Sequence, residues 1–91
     1  MKRARITIPW KEGLHLRPAA LLVRSARAFQ SSISLKMGER MADARSIIAI
    51  MLLSASFGTT VELEASGSDE DAAIEALTAV FTPETPPSRR S

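Results

Sequence analysis

The chain has 91 residues, of which 45% are hydrophobic, and it carries a formal net charge of +2 with a pI near 9.7. This length and composition suit one small domain with a single core. The absence of cysteine excludes disulfides, thiolate chemistry and cysteine-based metal sites, and the single histidine does not favour zinc. No stretch resembles a signal peptide or a membrane span, so we expect a cytoplasmic protein without membrane insertion.

Alternating apolar and polar residues at the amino end predict a first strand over residues 2–10, which Pro9 ends or marks as a sheet edge. Residues 10–13 form a loop. From Leu16 onward the apolar residues follow the spacing of a helix, which Ser31 and Ser32 break. The apolar side of this helix carries Ala19, Leu22, Val23, Ala26 and Phe29, and the opposite side carries Arg17, Ala20, Arg24 and Arg27.

A hairpin and a short helix follow. Alternation over residues 33–37 predicts a second strand, and residues 40–43 return as a third strand after a turn at Gly38 and Glu39. The run from Ile47 to Leu53 is apolar without alternation, and its length favours a short helix that Ser46 precedes.

A fourth strand is predicted over residues 60–66, and a last helix follows it. Its first turn holds the acidic residues 69–71, which suit the helix dipole, and Ser68 and Asp71 have the spacing of a capping box. The tail from Thr82 onward holds three prolines and two arginines. We expect a domain over residues 1–82 and a disordered tail over residues 83–91. The buried stripe of the last helix is predicted to be Ala73, Ile74, Leu77 and Phe81.

The order of these elements predicts an α+β fold of the βαββαβα type. Two strand–helix–strand halves with helices on one side form an open-faced β-sandwich, in which three helices cover one face of a four-stranded, mainly antiparallel sheet. Many domains of unrelated function share this order, so the fold alone does not assign a function.

His15 is the only histidine, and it lies between Gly13 and the predicted start of the first helix. At the N-cap or first position of that helix, it would stand beside the amides of Leu16 and Arg17, which have no acceptor inside the helix. Pro18 has no amide hydrogen and suits the first turn. Free amides at the positive end of the dipole form an anion site, and the Arg17 guanidinium suits phosphate oxygens. Because a neutral imidazole is nucleophilic near pH 7, the pattern favours a histidine that carries phosphate.

The alternative is that His15, as a lone histidine near a helix start, is an exposed surface residue without a chemical role or only makes a hydrogen bond to a loop. The chain has no P-loop, no glycine-rich nucleotide fingerprint and no paired-carboxylate cluster with an adjacent base. No cofactor is therefore expected, and if His15 carries phosphate, another protein must supply it.

The segment from Gly13 to Ala19, Gly-Leu-His-Leu-Arg-Pro-Ala, resembles the active-site signature of the histidine-containing phosphocarrier family, HPr. The segment from Arg45 to Leu53 and the closing stretch from Gly58 to Phe81 resemble the same family, so the resemblance covers about residues 3–81. It implies the open-faced sandwich and a stoichiometric carrier, not an enzyme. By resemblance, His15 accepts phosphate from enzyme I, charged by phosphoenolpyruvate, and passes it to IIA-type components of a bacterial phosphotransferase system.

Two residues depart from the family pattern. Leu16 replaces a small residue beside the histidine, which could alter the fit of partners, and Ser54 stands where many members have glycine. Neither change removes a group that the chemistry needs.

Ser46 is predicted to be the N-cap of the short helix, accepting from the amide of Ile48 or Ala49. The resemblance adds a second role, because in many relatives the matching serine is phosphorylated; it implies a serine kinase/phosphorylase and a transcription regulator as further partners. We expect Ile50 and Leu53 to be buried. The predicted partner interface, an apolar centre with a basic rim, consists of Leu16, Ala20, Arg24, Arg27, Ile47, Ile48, Met51 and Leu52.

Three functions therefore compete. The leading one is a monomeric phosphocarrier, in a sugar-uptake, nitrogen-related or regulatory branch. The second is a regulatory protein-binding module that acts through Ser46 and the apolar patch. The third, a nucleic-acid-binding domain, is not favoured, because the chain has only Trp10 and three phenylalanines to stack on bases.

Overall fold

A computed structural model describes residues 1–81, which form four strands and three helices in the predicted order βαββαβα. The predicted tail over residues 83–91 lies outside the described residues, as does Thr82, so the domain boundary stays a prediction. The elements are β1 (Lys2–Thr7), α1 (Leu16–Ala26), β2 (Ser32–Met37), β3 (Arg40–Asp43), α2 (Ile47–Leu52), β4 (Thr60–Ser66) and α3 (Glu70–Val80).

The four strands form one antiparallel sheet in the order β1-β4-β2-β3. The register aligns Ala4, Leu63, Leu35 and Ala42 in a row across all four strands. Since side chains alternate between the two faces of a strand, this row marks the inner face that the helices cover. The predicted α+β open-faced sandwich is confirmed.

The core lies between the inner face of the sheet and the three helices. The predicted inward residues of β4 and the predicted buried stripe of α3 are confirmed, and so is the burial of Ile50 and Leu53. The largest fully buried apolar side chains come from both layers, and they are Ile8, Leu22, Leu35, Ile50, Val61, Leu63 and Leu77. Within residues 1–81, none of the helices has the length and hydrophobicity that a membrane span requires.

The amino end of α3 differs from the sequence prediction. Asp69 is the N-cap, and the capping box predicted from Ser68 and Asp71 is wrong, because the Asp69 carboxylate binds the segment before β2 instead. Its oxygens accept from the amides of Gln30 at 2.9 Å and Ser31 at 3.0 Å and from the Ser31 hydroxyl. A tertiary contact between residues 38 positions apart has replaced the local one.

These hydrogen bonds also stabilise the charged form of the Asp69 carboxylate. The Ser31 hydroxyl, followed by the Gln30 amide, lowers the pKa of Asp69 below its ordinary value of 3.8. A lowered carboxyl pKa contributes stability above the ordinary value, and that contribution is lost as the pH falls through the lowered pKa. The junction between α3 and β2 therefore weakens only in acid.

Candidate functional site

A tight turn after β1 places the histidine. The Gly13 amide donates to the Trp10 carbonyl at 2.8 Å, and the Leu14 amide donates to the Ala55 carbonyl, also at 2.8 Å. Gly13 has a φ of +78°, and a Cβ at this position would lie 2.6 Å from the Ala55 oxygen. Only glycine fits here without displacing the backbone of the loop that follows α2. This packing fixes the point at which α1 begins.

His15 is the N-cap of α1, as predicted, with extended backbone angles (φ −100°, ψ −173°). The first bond of the helix runs from the Ala19 amide to the His15 carbonyl at 3.1 Å. The amides of Leu16 and Arg17 precede that bond and have no acceptor inside the helix. The imidazole does not cap the helix itself, so it stands beside these donors without consuming them. The donor-rich helix tip inferred from the sequence is present.

The imidazole is half-buried and makes two contacts. Its Nδ1 lies 2.9 Å from the Gly13 carbonyl oxygen, and its ring packs edge-on against the Trp10 indole, with ring centroids 6.0 Å apart and planes at 79°. A carbonyl oxygen only accepts, so the proton of the neutral ring is on Nδ1 in this conformation. Nε2 then holds the lone pair.

A shallow depression surrounds the ring. Arg17 is an exposed part of its lining, and none of the ion pairs within residues 1–81 involves this guanidinium. Its charge therefore faces the same space as the imidazole. The other lining residues are Trp10, Glu12, Pro18, Leu21 and Val80.

Ser46 is the N-cap of α2, as predicted, and its Oγ accepts from the Ala49 amide at 3.2 Å. The hydroxyl is half-buried. It begins a helix of one and a half turns that packs against α1 and β3.

Only some residues of the predicted partner interface have the exposure that such an interface requires. Ile48 and Leu52 on α2 are 67% and 69% exposed, as expected for a free apolar patch. Ile47 and Met51 were also expected to point outward, but both are half-buried against the core, because a helix this short turns only a narrow stripe to solvent. The predicted α1 members, Leu16, Ala20, Arg24 and Arg27, are all exposed.

Arg27 follows the last residue of α1, twelve positions after His15. At 1.5 Å per residue this places it roughly 18 Å along the helix axis from the imidazole. It therefore lies at the opposite end of α1 from the imidazole and is not part of the depression around it.

Three residues beside the imidazole escaped the sequence prediction. The sequence pattern places Trp10 in a loop and indicates no role for Glu12 or Leu21, yet all three line the depression around His15. Leu21 is 45% exposed on α1. The sequence feature that could identify Trp10 as part of the site is its position, five residues before His15 and directly after Pro9.

Ser54, which departs from the family pattern, has a φ of +56° in the left-handed region. Glycine adopts this conformation at little cost, whereas a side chain makes it less favourable. This backbone angle gives a physical reason for the glycine that the resemblance implies at this place.

Comparisons with known proteins agree with this geometry. The family model described as "PTS HPr component phosphorylation site" matches residues 2–82. A phosphocarrier protein HPr of Xylella fastidiosa is 41% identical over 76 residues, which cover 84% of this chain and 85% of the relative.

Solved structures resemble the whole described domain. HPr from Thermoanaerobacter tengcongensis superposes with a TM-score of 0.84 at 44% identity, covering 89% of this chain and 91% of its own. Crh of Bacillus subtilis, described as a dimer with a swapped domain, gives a TM-score of 0.71 at 40% identity, covering 89% and 93%. With the helix-tip histidine in place and the fold and sequence both matching over most of the chain, the protein belongs to the HPr family of phosphocarrier proteins of the phosphotransferase system.

Proposed function

We propose that this chain accepts a phosphoryl group on His15 from enzyme I and passes it to IIA-type phosphotransferase components in the cytoplasm. The observation that carries the proposal is the half-buried imidazole at the N-terminus of α1, beside the open amides of Leu16 and Arg17. Because the chain has no nucleotide-binding motif, it acts as a stoichiometric carrier and needs a protein donor.

The transfer exchanges one phosphorus–nitrogen bond for another. A lone pair of the His15 ring attacks the phosphorus on the donor's histidine, the bond from phosphorus to the donor ring breaks, and His15 keeps its own proton on the other ring nitrogen. The new phosphate adds negative charge at the positive end of the α1 dipole, where the Leu16 and Arg17 amides can donate to it. The Arg17 guanidinium supplies a fixed positive charge beside the same oxygens.

We expect Nδ1 to be the acceptor nitrogen. It is closer than Nε2 to the His15 backbone, so a phosphate there can reach the amides of Leu16 and Arg17. In the resting conformation, however, Nδ1 donates its proton to the Gly13 carbonyl. The proton must therefore move to Nε2, and the ring must rotate away from Gly13, before Nδ1 can attack.

The test of this proposal is phosphorylation of the wild-type chain with enzyme I and phosphoenolpyruvate. Intact mass should rise by one phosphoryl group, and the added mass should be lost in acid and survive in base. Nitrogen-15 NMR of the phosphorylated ring should show substitution at Nδ1; substitution at Nε2 would contradict the argument from the helix tip. No gain of mass would reject the proposal.

Arg17→Ala is expected to slow transfer to and from His15 by about a hundredfold, since removing one preorganised donor to a developing charge has effects of this order. The side chain is exposed and packs against little, so the melting temperature should change by less than about 3 °C. Stopped-flow transfer rates and thermal melts measure the two quantities. Arg24→Ala, on the same exposed side of α1, is the matched control, and its transfer rate should change less than Arg17→Ala. A large drop in stability with normal transfer would instead make Arg17 a structural residue.

The exposed apolar side chains of α1 and α2 are the proposed docking face for enzyme I and the IIA components. Ile48 and Leu52 are its apolar centre, Leu16 adjoins the imidazole, and Arg17 and Arg24 supply positive charge for acidic partners. We propose that the chain presents this face as a monomer, although its relative Crh forms a dimer.

A second candidate function is regulation through Ser46. The observation that favours it is the half-buried Ser46, two residues before the exposed Ile48 on the apolar patch. A phosphate at this helix N-terminus would be tolerated by the fold and would alter the docking of partners, including a serine kinase/phosphorylase and a transcription regulator.

Ser46→Asp is expected to leave the free energy of unfolding within about 0.5 kcal/mol of wild type, because aspartate is itself a good N-cap. The added carboxylate must be desolvated or repelled when the apolar patch is covered, so the KM for transfer from enzyme I should rise more than the maximal rate falls. Ser32→Asp, on the uncovered face of the sheet, is the control and should leave the KM unchanged. Equal KM values for both variants and wild type would reduce Ser46 to a helix cap.

The uncovered face of the sheet does not favour nucleic acid as a partner. Register places Arg5, Glu62 and Lys36 in one row across β1, β4 and β2, and Arg3 pairs with Glu64 at 3.5 Å in the next row. Two carboxylates at the centre repel a phosphate backbone. A shift assay at two salt concentrations should show no complex.

A further inference from the structure

Three aromatic rings lie in series at the site. The Trp10 indole contacts both the His15 imidazole and the Phe81 ring. The centroids of the Trp10 and Phe81 rings are 5.4 Å apart, and their planes meet at 31°. Phe81 is 4% exposed and belongs to the core. The indole thus connects the core to the reactive ring.

The turn that carries Trp10 also provides the hydrogen-bond acceptor for the imidazole. The Trp10 carbonyl accepts from the Gly13 amide, and the Gly13 carbonyl lies 2.9 Å from His15 Nδ1. One four-residue turn therefore contacts the ring twice, once through a backbone oxygen at Nδ1 and once through the edge-to-face contact with the indole. A hydrogen bond alone leaves the ring free to swing about it, and an edge-to-face contact alone does not select a nitrogen. Together they define one orientation.

We propose that Trp10 is a positioning residue for His15: its indole, held by Phe81, keeps the imidazole in the resting orientation in which Nδ1 donates to the Gly13 carbonyl. Nδ1 is then masked until the ring leaves the indole. This role deepens the proposed function and rests on it, since it assigns a resting and a reactive orientation to the proposed acceptor.

The alternative is that Trp10 only covers the core. Trp10 is half-buried and packs against the core cluster, so its loss will cost stability in either case. A melting temperature cannot separate the two roles, whereas the position of the proton on the His15 ring can. A purely covering role leaves the ring nitrogens unchanged.

The experiment measures the two neutral tautomers of His15 in the unphosphorylated protein by nitrogen-15 NMR in alkaline buffer. Trp10→Ala should shift the ratio of tautomers from Nδ1–H towards Nε2–H by roughly two- to tenfold, which is the energy of one edge-to-face aromatic pair expressed as a ratio. Trp10→Phe keeps a ring at this place and should restore the ratio to within about twofold of wild type. Trp10→Leu keeps an apolar side chain over Phe81 without a ring, and it should shift the tautomer ratio as Trp10→Ala does. It takes the place of Trp10→Ala in the experiment if that variant folds poorly.

The matched control is Phe29→Ala. Phe29 is also a half-buried aromatic packed against the core, but it lies beyond the opposite end of α1 from His15. Its loss should lower stability and leave the tautomer ratio unchanged. An unchanged ratio in a folded Trp10→Leu or Trp10→Ala variant, or an equal shift in Phe29→Ala, would overturn the role of Trp10.

The result of the tautomer measurement does not depend on the result of the phosphotransfer test. Failure of the wild-type chain to gain phosphate from enzyme I would reject the proposed function, and the tautomer ratio is read without any donor. A positive phosphotransfer test with an unchanged ratio in the folded Trp10 variants would retain the carrier and reject the positioning role.

Discussion

His15→Ala is expected to abolish phosphoryl acceptance completely while leaving the fold intact. The chain has no second histidine, so no other imidazole can form the acid-labile phosphate proposed here. The His15 side chain makes no capping bond to α1, and its removal costs the helix little. The free energy of unfolding should stay within about 1 kcal/mol of wild type.

Intact mass after incubation with enzyme I and phosphoenolpyruvate measures this loss, and a thermal melt shows that the variant is folded. The wild-type chain, treated in parallel, should gain one phosphoryl group. A gain of mass that persists in His15→Ala would place the acceptor elsewhere. If that mass survived acid, a hydroxyl such as that of Ser46 would be the first candidate.

Gly13→Ala is expected to be the most destabilising of the substitutions considered for this site. The new Cβ would lie 2.6 Å from the Ala55 carbonyl oxygen, and the residue would have to keep a φ of +78°. The left-handed conformation costs about 1 kcal/mol for a residue with a side chain, and forcing apart two packed backbones adds about 1–3 kcal/mol. The sum of roughly 3 kcal/mol lowers the melting temperature of a domain this small by roughly 10 to 20 °C.

Gly38→Ala is the matched control for that loss. Gly38 also has a positive φ, +61°, but its Cβ would meet no atom within 4 Å. Its substitution should cost only the conformational part, about 1 kcal/mol. Denaturant melts of both variants separate the two contributions, and an equal loss at Gly13 and Gly38 would show that the close approach to Ala55 contributes nothing. Because the close packing of Gly13 against Ala55 fixes the point at which α1 begins, Gly13→Ala should slow transfer as well.

Most of the fold follows from local patterns in the sequence. Alternation predicted β4 over residues 60–66 with the observed bounds, and the turn at Gly38 and Glu39 predicted the hairpin of β2 and β3. The N-cap roles of His15 and Ser46 were predicted from residue type and position, because capping depends on neighbours within one helical turn.

Contacts between distant parts of the chain could not be predicted in this way. Asp69 binds Gln30 and Ser31 across the domain, and nothing in the local sequence distinguishes it from a residue that only caps α3. The contact between Trp10 and His15 depends on the turn at Gly13 and on Phe81, which lies at the far end of the domain in sequence. Spacing along the chain predicts single helices and strands, whereas the site is assembled from the turn after β1, the start of α1 and the end of α3.

The two edges of the sheet have a consequence for the proposed exchange of phosphate with several partners in turn. β1 and β3 are the edge strands, and an unpaired edge invites another strand to add to it. β1 carries Lys2, Arg3 and Arg5 along its six residues, and β3 is only four residues long and begins with Arg40. Dense positive charge and short length are the features by which proteins discourage such addition. For the carrier proposed here, partners that dock on the helical side would meet side chains and could dissociate quickly, whereas strand pairing would hold the carrier in one long-lived assembly.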